Sequence, residues 1–448
     1  MAPTLAAAVP ELAALGTATA GIRIPPGVTV PLSPRVKPLV DSAAFRRLAG
    51  ISQLGLVALV YPGARHSRFE HSLGVYRLAI EFLFRLQHDA RFCQTVGPDD
   101  AAAFLAAALL HDIGHWAFCH PLEDMGLPEL PKHESLLPGF VADGEIADVL
   151  HTCWGLEPSR VAALVTGSAT DPAARVLQSL LSGPVDVDKM DYLARDSLHA
   201  GVPYGDHFDQ ERLLSSLCLD ETGTALAITE KGRTAAELLV VARSVMFSEV
   251  YWHHAVRAAT AMLQRSIWLL RSVIVPHELV RFDDPSFIAW ITAAANGPAA
   301  TLVAGLFGPR RQIHKRVAMF DPLHHATLHS ALAGRRYADL VAISHRLAEL
   351  VSARTGHTID PDTLLIDAPP AEREIEFRLQ VRERTAGPES SSYEWIPLAD
   401  RSPLVRSLAQ EQFDDVVKRV RIFAPADQVE TLSTCPGLEE LVLEAAGG

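Results

Sequence analysis

The stretch LLHDIGHWAFCH, residues 109–120, closes an apolar run, AAAFLAAALL, with three histidines and an aspartate. Each polar group taken out of water needs a partner, so a helix that buries itself gains nothing from ending in imidazoles and a carboxylate. His111 and Asp112 are adjacent. On a helix their side chains point about 100° apart and cannot share one core-facing stripe. A divalent cation gives both a partner. For any single histidine the commoner role is a hydrogen-bonded core position, but here there is company. His115 lies one turn beyond His111, His120 follows, His71 stands upstream in HSRFEHSLGV, and VDVDKMDYLARD supplies Asp186, Asp188, Asp191 and Asp196. Imidazole and carboxylate without thiolate suit a harder divalent ion, Mn, Mg, Fe or Ni, and not a thiolate zinc site. For catalysis the ion keeps an open position.

The elements that must position these groups are mostly helices. Apolar residues recur three or four apart across 42–60, 72–94, 99–113, 143–152, 171–182, 186–198 and 235–272. Asp99 and Asp100 follow a Gly-Pro break and cap the helix that delivers the motif. Strands are few: LCLDETGTALAIT (217–229) reads as a small hairpin, and EIEFRLQVRER (374–384) alternates apolar and charged residues and is expected to pair with VRIFA (420–424). The expected fold is mainly α, a helical core with a small β-hairpin and a C-terminal α+β module. The expected divisions are a disordered tail over 1–25, a helical domain over 26–355 and the module over 356–448, with GPESSSYE (387–394) an exposed loop.

Composition narrows the function classes. The 448 residues are 48% hydrophobic with a net charge of −13, a globular balance that argues against nonspecific binding of duplex nucleic acid. Five cysteines without a C-x-x-C pair predict a reducing, cytoplasmic setting. The Ala-rich start lacks a basic region and carries Glu11, so no signal peptide is expected, and no run reaches the length of a membrane span. There is no G-x-x-x-x-G-K-[ST] phosphate loop, no G-x-S-x-G elbow and no H-E-x-x-H zinc motif.

The order H…HD…D, filled by His71, His111 with Asp112, and Asp188, resembles the HD-domain metal-dependent phosphohydrolases. The strings YPGARHSRFEHSLGV, HDIGHWAFCHPLE, KHE and DVDKMDYLARD resemble more narrowly its deoxynucleoside triphosphate triphosphohydrolases. That branch includes the bacterial dGTPases and the animal enzyme pairing a SAM domain with an HD domain. The likeness is close over about residues 30 to 260 and thinner beyond, where PLVRSL and KRVRIFAP still match.

The resemblance implies an HD-type helical core in which His71, His111, Asp112 and Asp188 hold the metal. It implies that His120 is the acid/base group, oriented by Glu123, with His115 and the His133–Glu134 pair around it. Arg68, Lys189 and Arg243 match phosphate-contact positions. Gln53, Tyr192 and Asp196 match residues that hold the deoxyribose, Tyr192 packing where a 2′ hydroxyl would go and Asp196 accepting from the 3′ hydroxyl. Tyr251, and His253 after it, match positions near the same substrate. The implied partners are a deoxynucleoside triphosphate and further copies of the chain.

The sequence also departs from the family. Ala49 stands after Arg47-Leu48 where nucleotide-activated members carry a basic residue, which weakens nucleotide-triggered assembly. Asp41 nevertheless matches an effector-base reader, so a nucleotide effector stays among the expected partners. GIRIPPGVTVPL replaces an acidic, glycine-containing entry, and Trp116 stands where glycine is common after HDxGH, narrowing the cavity. Two alternatives stay open: a phosphohydrolase of another nucleotide, whether alarmone, cyclic or monophosphate, and a noncatalytic binder of nucleotides or single-stranded nucleic acid.

Overall fold

The computed structural model describes residues 5–15, 20–370, 378–385, 393–408 and 417–447. Helix makes up 59% and strand 10%, so the protein is mainly α. Helix Pro98–Leu110 lies at the centre, with every side chain from Ala101 to Leu110 buried. Its six alanines let helices Arg68–Leu86 and Pro158–Val165 pack close against it. Pro98 takes a position whose N–H would have no helical partner, and the Asp100 carboxylate accepts from the Gly97 N–H at 2.9 Å. The helix ends at His111, where the chain leaves the core in a tight turn.

Two further helices start at defined caps and carry site residues in their first turns. Ser67 Oγ accepts from the Glu70 N–H at 3.3 Å and starts Arg68–Leu86, which bears His71. The Asp186 carboxylate accepts from the Lys189 N–H at 2.6 Å and starts Val187–Ala200, which bears Asp188. These two helices approach so closely that a Cβ at Gly74 would stand 2.0 Å from Asp191 Oδ1 and 2.3 Å from the Arg195 guanidinium. Gly114 does the same for the motif turn, where a Cβ would meet the His133 carbonyl at 2.3 Å. That brings helix His133–Val141 against the turn.

A second core gathers around helix His254–Leu270, packed on Gly297–Phe307 and Asp284–Ala294. A third joins helices Tyr337–Thr355 and Leu438–Ala446 to a three-stranded antiparallel sheet. Val420–Ala424 is the centre of that sheet, paired with Lys315–Phe320 and Leu365–Asp367. The expected pairing of 374–384 with 420–424 is therefore corrected. Gln380–Arg384 instead runs parallel to Leu226–Thr229 of the early hairpin, Ile228 opposite Val381, and antiparallel to Tyr393–Pro397. Val381 is fully buried and extends the apolar face begun by Ile228, which explains the choice. Residues 374–377, and 387–392 of the expected loop, lie outside the described residues.

Both sheets thus cross the division expected near residue 356. The expected disordered tail is also corrected over residues 5–15. Leu5–Ala8 and Pro10–Ala14 are helical, Leu5, Val9 and Leu12 are buried, and Glu11 accepts from Ser33 Oγ and Arg35 Nε, the latter at 2.9 Å. The periodicity of 235–272 is interrupted by a wider turn over Phe247–Tyr251 before helix His254–Leu270 begins. Among the described residues no helix is long and apolar enough to cross a membrane.

Candidate active site

His71, His111 and Asp188 arrive from three separate helix ends, with one donor atom of each within 4.8 Å of the others. The far nitrogen of each imidazole is already taken. His71 Nδ1 faces Asp191 Oδ2 at 2.8 Å, and His111 Nδ1 faces the Ala108 carbonyl at 2.9 Å. Those bonds occupy both Nδ1 atoms and leave the two Nε2 atoms converging at 3.3 Å, with Asp188 Oδ1 3.0 Å from His71 Nε2. Asp112 stands beside them, Oδ1 3.3 Å from His111 Nε2 and Oδ2 4.0 Å from His71 Nε2, while Oδ2 also accepts from Arg68 Nη1 at 2.8 Å. Burial works against a charge on His71, yet bonds to Asp188 and Asp191 raise its pKa to about 10. The pocket demands positive charge at this point, and the donor set of two imidazoles and carboxylates fits a divalent cation.

Behind the donors runs a buried chain of opposite charges. Asp191 accepts from Arg195 at 2.7 and 2.8 Å, and Arg195 also donates to Glu70 Oε1 at 2.7 Å. Asp191 thereby holds both the tautomer and the orientation of His71.

The second group of imidazoles lies on the other side of Asp112. His115 Nδ1 faces Asp112 Oδ1 at 3.1 Å, and His115 Nε2 faces His120 Nε2 at 3.2 Å. His133 lies over His115, ring centroids 3.8 Å apart. The Glu123 carboxylate accepts from the His133 backbone N–H at 2.8 Å and faces its Nδ1 at 2.9 Å. Glu123 thus orients His133, where the resemblance implied His120, because the Gly114 contact brings the His133 backbone within its reach. His120 is exposed to the cavity. Enclosure by the cleft walls, then the charges of Arg68 and His133, push its pKa below the usual imidazole range. Its helix, Cys119–Glu123, starts from Phe118, the one non-glycine residue with positive φ (55°) among the described residues. A bulky side chain there costs about 1–3 kcal/mol. Rings Phe287 and Phe307, with centroids 5.2 and 5.7 Å away, wedge it in place.

All of this opens into one cavity of about 620 Å³, lined by the metal donors, Arg68, His115, His120, His133 and Glu134 and also by Gln53, Tyr192, Asp196 and Tyr251. Asp196 is buried, its Oδ2 accepting from the Tyr251 hydroxyl at 2.6 Å and its Oδ1 2.9 Å from His66 Nε2. Tyr192 meets the Tyr251 ring edge-on at 6.4 Å. Gln53 Oε1 is buried without a hydrogen-bond partner. Trp116 is fully buried in the wall. Of the expected phosphate contacts only Arg68 lines the cavity. Lys189 Nζ turns to Asp186 at 2.7 Å, and the Arg243 guanidinium lies over the Phe247 ring at 5.5 Å. His253 caps helix His254–Leu270 and packs edge-on against Tyr61.

Sequence reasoning missed the far wall. Arg257, Lys418, Asp124 and Trp252 line it, Arg257 bonded to Asp367 and lying over Trp252 at 4.3 Å. Burial raises the Asp124 carboxyl to about 6, and Arg257 opposes the shift. Arg257, on a helix whose neighbours are largely buried, was visible as a charge on an apolar face. Lys418 opens the KRVRIFAP string already noted.

An HD domain model matches residues 68–196, and a model described as HD associated region matches residues 208–437. Among curated proteins, YwfO of Bacillus subtilis is 36% identical over 229 residues, 51% of this chain and 50% of that protein. MJ1154 of Methanocaldococcus jannaschii is 32% identical over 58% of this chain and 52% of that one. The deoxynucleoside triphosphate triphosphohydrolase SAMHD1 of Danio rerio is 29% identical over 41% of this chain and 34% of its own. The chain thus spans about half or less of the length of these curated relatives. A crystal structure of a hypothetical protein from Aquifex aeolicus superposes with a TM-score of 0.69 at 26% identity, covering 93% of this chain and 99% of that one. HD domains form a superfamily of metal-dependent phosphohydrolases, and the donor triad found here lies within the matched segment. With an HD domain joined to an HD associated region that spans over half of its length, the chain belongs to the HD family that carries this associated region.

Proposed function

We propose that the protein hydrolyses deoxynucleoside triphosphates to deoxynucleoside and inorganic triphosphate. The observation that carries this reading is that one cavity is shared by the His71–His111–Asp188 triad and by the Gln53–Tyr192–Asp196–Tyr251 group. The triad, with Asp112, would hold one ion of the Mn, Mg, Fe or Ni kind. Such an ion supplies charge against a nonbridging phosphate oxygen and acidifies water. Arg68, fixed by Asp112, meets the polyphosphate from the protein side. Oxygen of water bonds to the α-phosphorus, the bond from phosphorus to the 5′ oxygen breaks, and His120 relays a proton from the water to the departing oxygen. His133, held by Glu123, and His115 wall that imidazole. Glu134 lines the same wall.

At the sugar end the Tyr192 ring occupies the space of a 2′ hydroxyl. The remaining lone pairs of Asp196 accept from the 3′ hydroxyl, and Gln53, its Oε1 partnerless, holds the deoxyribose beside it. Arg243 acts from behind this wall on the field at Tyr192, and Lys189, held by Asp186, stands close to Asp188 as a further positive charge for the polyphosphate. Assembly with further copies and a nucleotide effector belong to the same proposal, carried by the family likeness, and a cytoplasmic setting joins it on the strength of the five unpaired cysteines. The test is chromatographic analysis of products from each deoxynucleotide and ribonucleotide with Mn or Mg. Deoxynucleoside and inorganic triphosphate are expected. Release of only mono- or diphosphate, or equal turnover of ribonucleotides, overturns the reading.

A further inference from the structure

We propose that Cys119 joins His115, His120 and His133 in a second cation site, one that takes zinc and thereby switches the hydrolase off. No C-x-x-C pair exists in the sequence, yet the fold brings one ligand atom from each of these four residues within 4.8 Å of one another. A tetrahedral zinc site with bonds of about 2.0–2.3 Å sets its donors roughly 3.3–3.8 Å apart, so closure asks for side-chain movements of about an ångström. The approach is already tight between His115 Nε2 and His120 Nε2, at 3.2 Å.

Three features prepare these residues for an ion. His133 Nδ1 is turned to the Glu123 carboxylate, leaving Nε2 as its remaining nitrogen, the carboxylate–histidine arrangement that raises ligand basicity. His115 Nδ1 is turned to Asp112, which leaves its Nε2 as the nitrogen facing the cluster. Cys119 is buried yet lines the cavity, its thiol a soft donor that oxygen-preferring ions leave protonated. A thiophilic ion displaces that proton to solvent and gains a thiolate. The donor chemistry therefore separates the two sites: imidazole and carboxylate for the harder ion, imidazole and sulfur for zinc. An ion here captures His120, the group proposed to relay the proton. That inhibitory step rests on the proposed hydrolysis, whereas the binding step does not.

The experiment titrates metal-free full-length protein with cobalt(II) and then zinc. With the first site filled, the second equivalent should give a thiolate-to-cobalt charge-transfer band that zinc abolishes. Cys119→Ser should lack the band, keep the first site, and bind zinc at least about tenfold more weakly, the scale on which even outer partners of a metal act. His115→Ala, which keeps the thiol, should weaken zinc to a similar degree. No sulfur band in the unsubstituted protein, or unchanged zinc affinity in either variant, overturns the site. Zinc should inhibit dNTP turnover in the unsubstituted protein and about tenfold less effectively in Cys119→Ser. Equal inhibition of both overturns the switch. A band with no dNTP turnover under any metal leaves the zinc site standing and rejects only the proposed hydrolysis.

Discussion

Gly74→Ala separates a packing account of the site from a merely helical one. In an ordinary helix interior this change is favourable by about 1 kcal/mol, because alanine has less backbone freedom to lose. Here the new methyl would stand 2.0 Å from Asp191 Oδ1 and 2.3 Å from the Arg195 guanidinium. Van der Waals contact requires roughly 3.5 Å, so the carboxylate must give way by about 1.5 Å. That breaks the 2.8 Å contact that holds His71 Nδ1. Overpacking of this kind costs about 1–3 kcal/mol, enough to reverse the propensity gain. Loss of an outer partner of a metal ligand costs about 10- to 100-fold in affinity, or roughly 1.4–2.7 kcal/mol. The assay pairs denaturant unfolding of the metal-free protein with a chelator competition for Mn. The variant should be less stable and should bind Mn at least tenfold more weakly. A variant more stable than the parent with Mn affinity intact would refute the claim that the two helices cross at Asp191.

Three other outcomes follow from the same geometry. His120→Ala should lower dNTP turnover roughly 10²- to 10⁴-fold while Mn affinity, measured by competition, stays put, since His120 stands outside the His71–His111–Asp188 group; a parallel loss of Mn would place it among the ligands. Tyr251→Phe removes the 2.6 Å donor to buried Asp196, so the protein should lose about 1.5–3 kcal/mol in urea unfolding, with ribonucleotide turnover rising relative to deoxyribonucleotide; unchanged stability would mean that Asp196 finds another donor. Burial lowers His314 from 6.5 to about 4, so the unfolded chain binds the extra proton between those values and stability should fall as pH drops through that window, by up to about 3 kcal/mol. His314→Leu should flatten that part of the unfolding-against-pH curve, and an unaltered slope would contradict the assignment.

The helical site was largely legible because its residues sit where chain punctuation is strong. Ser67 and Asp186 begin the helices of His71 and Asp188, and a buried alanine-rich helix must end where His111 and Asp112 turn polar. What escaped were contacts between segments far apart in sequence. Nothing local says that Glu123 turns to His133, since that depends on how closely Gly114 admits the His133 backbone. Lys189 offers a similar lesson, its ammonium turned to an aspartate three residues earlier. Strand pairing was misjudged because alternation identifies a strand without naming its partner, and Val381 found Ile228 across 152 intervening positions in the chain, a register settled by burial. The tail was misread because alanine-rich composition conceals the spaced Leu5, Val9 and Leu12 that anchor it.

The parallel pairing of Ile228 with Val381 has a practical corollary for anyone dissecting this protein. Severing the polypeptide near residue 355 strips a neighbour from Leu226–Thr229 and bares a row of amide and carbonyl groups to whatever strand drifts by. Fragments made that way should clump rather than fold, whereas the interval between residues 196 and 208, where one family match stops and the next starts, leaves that strand with its mate.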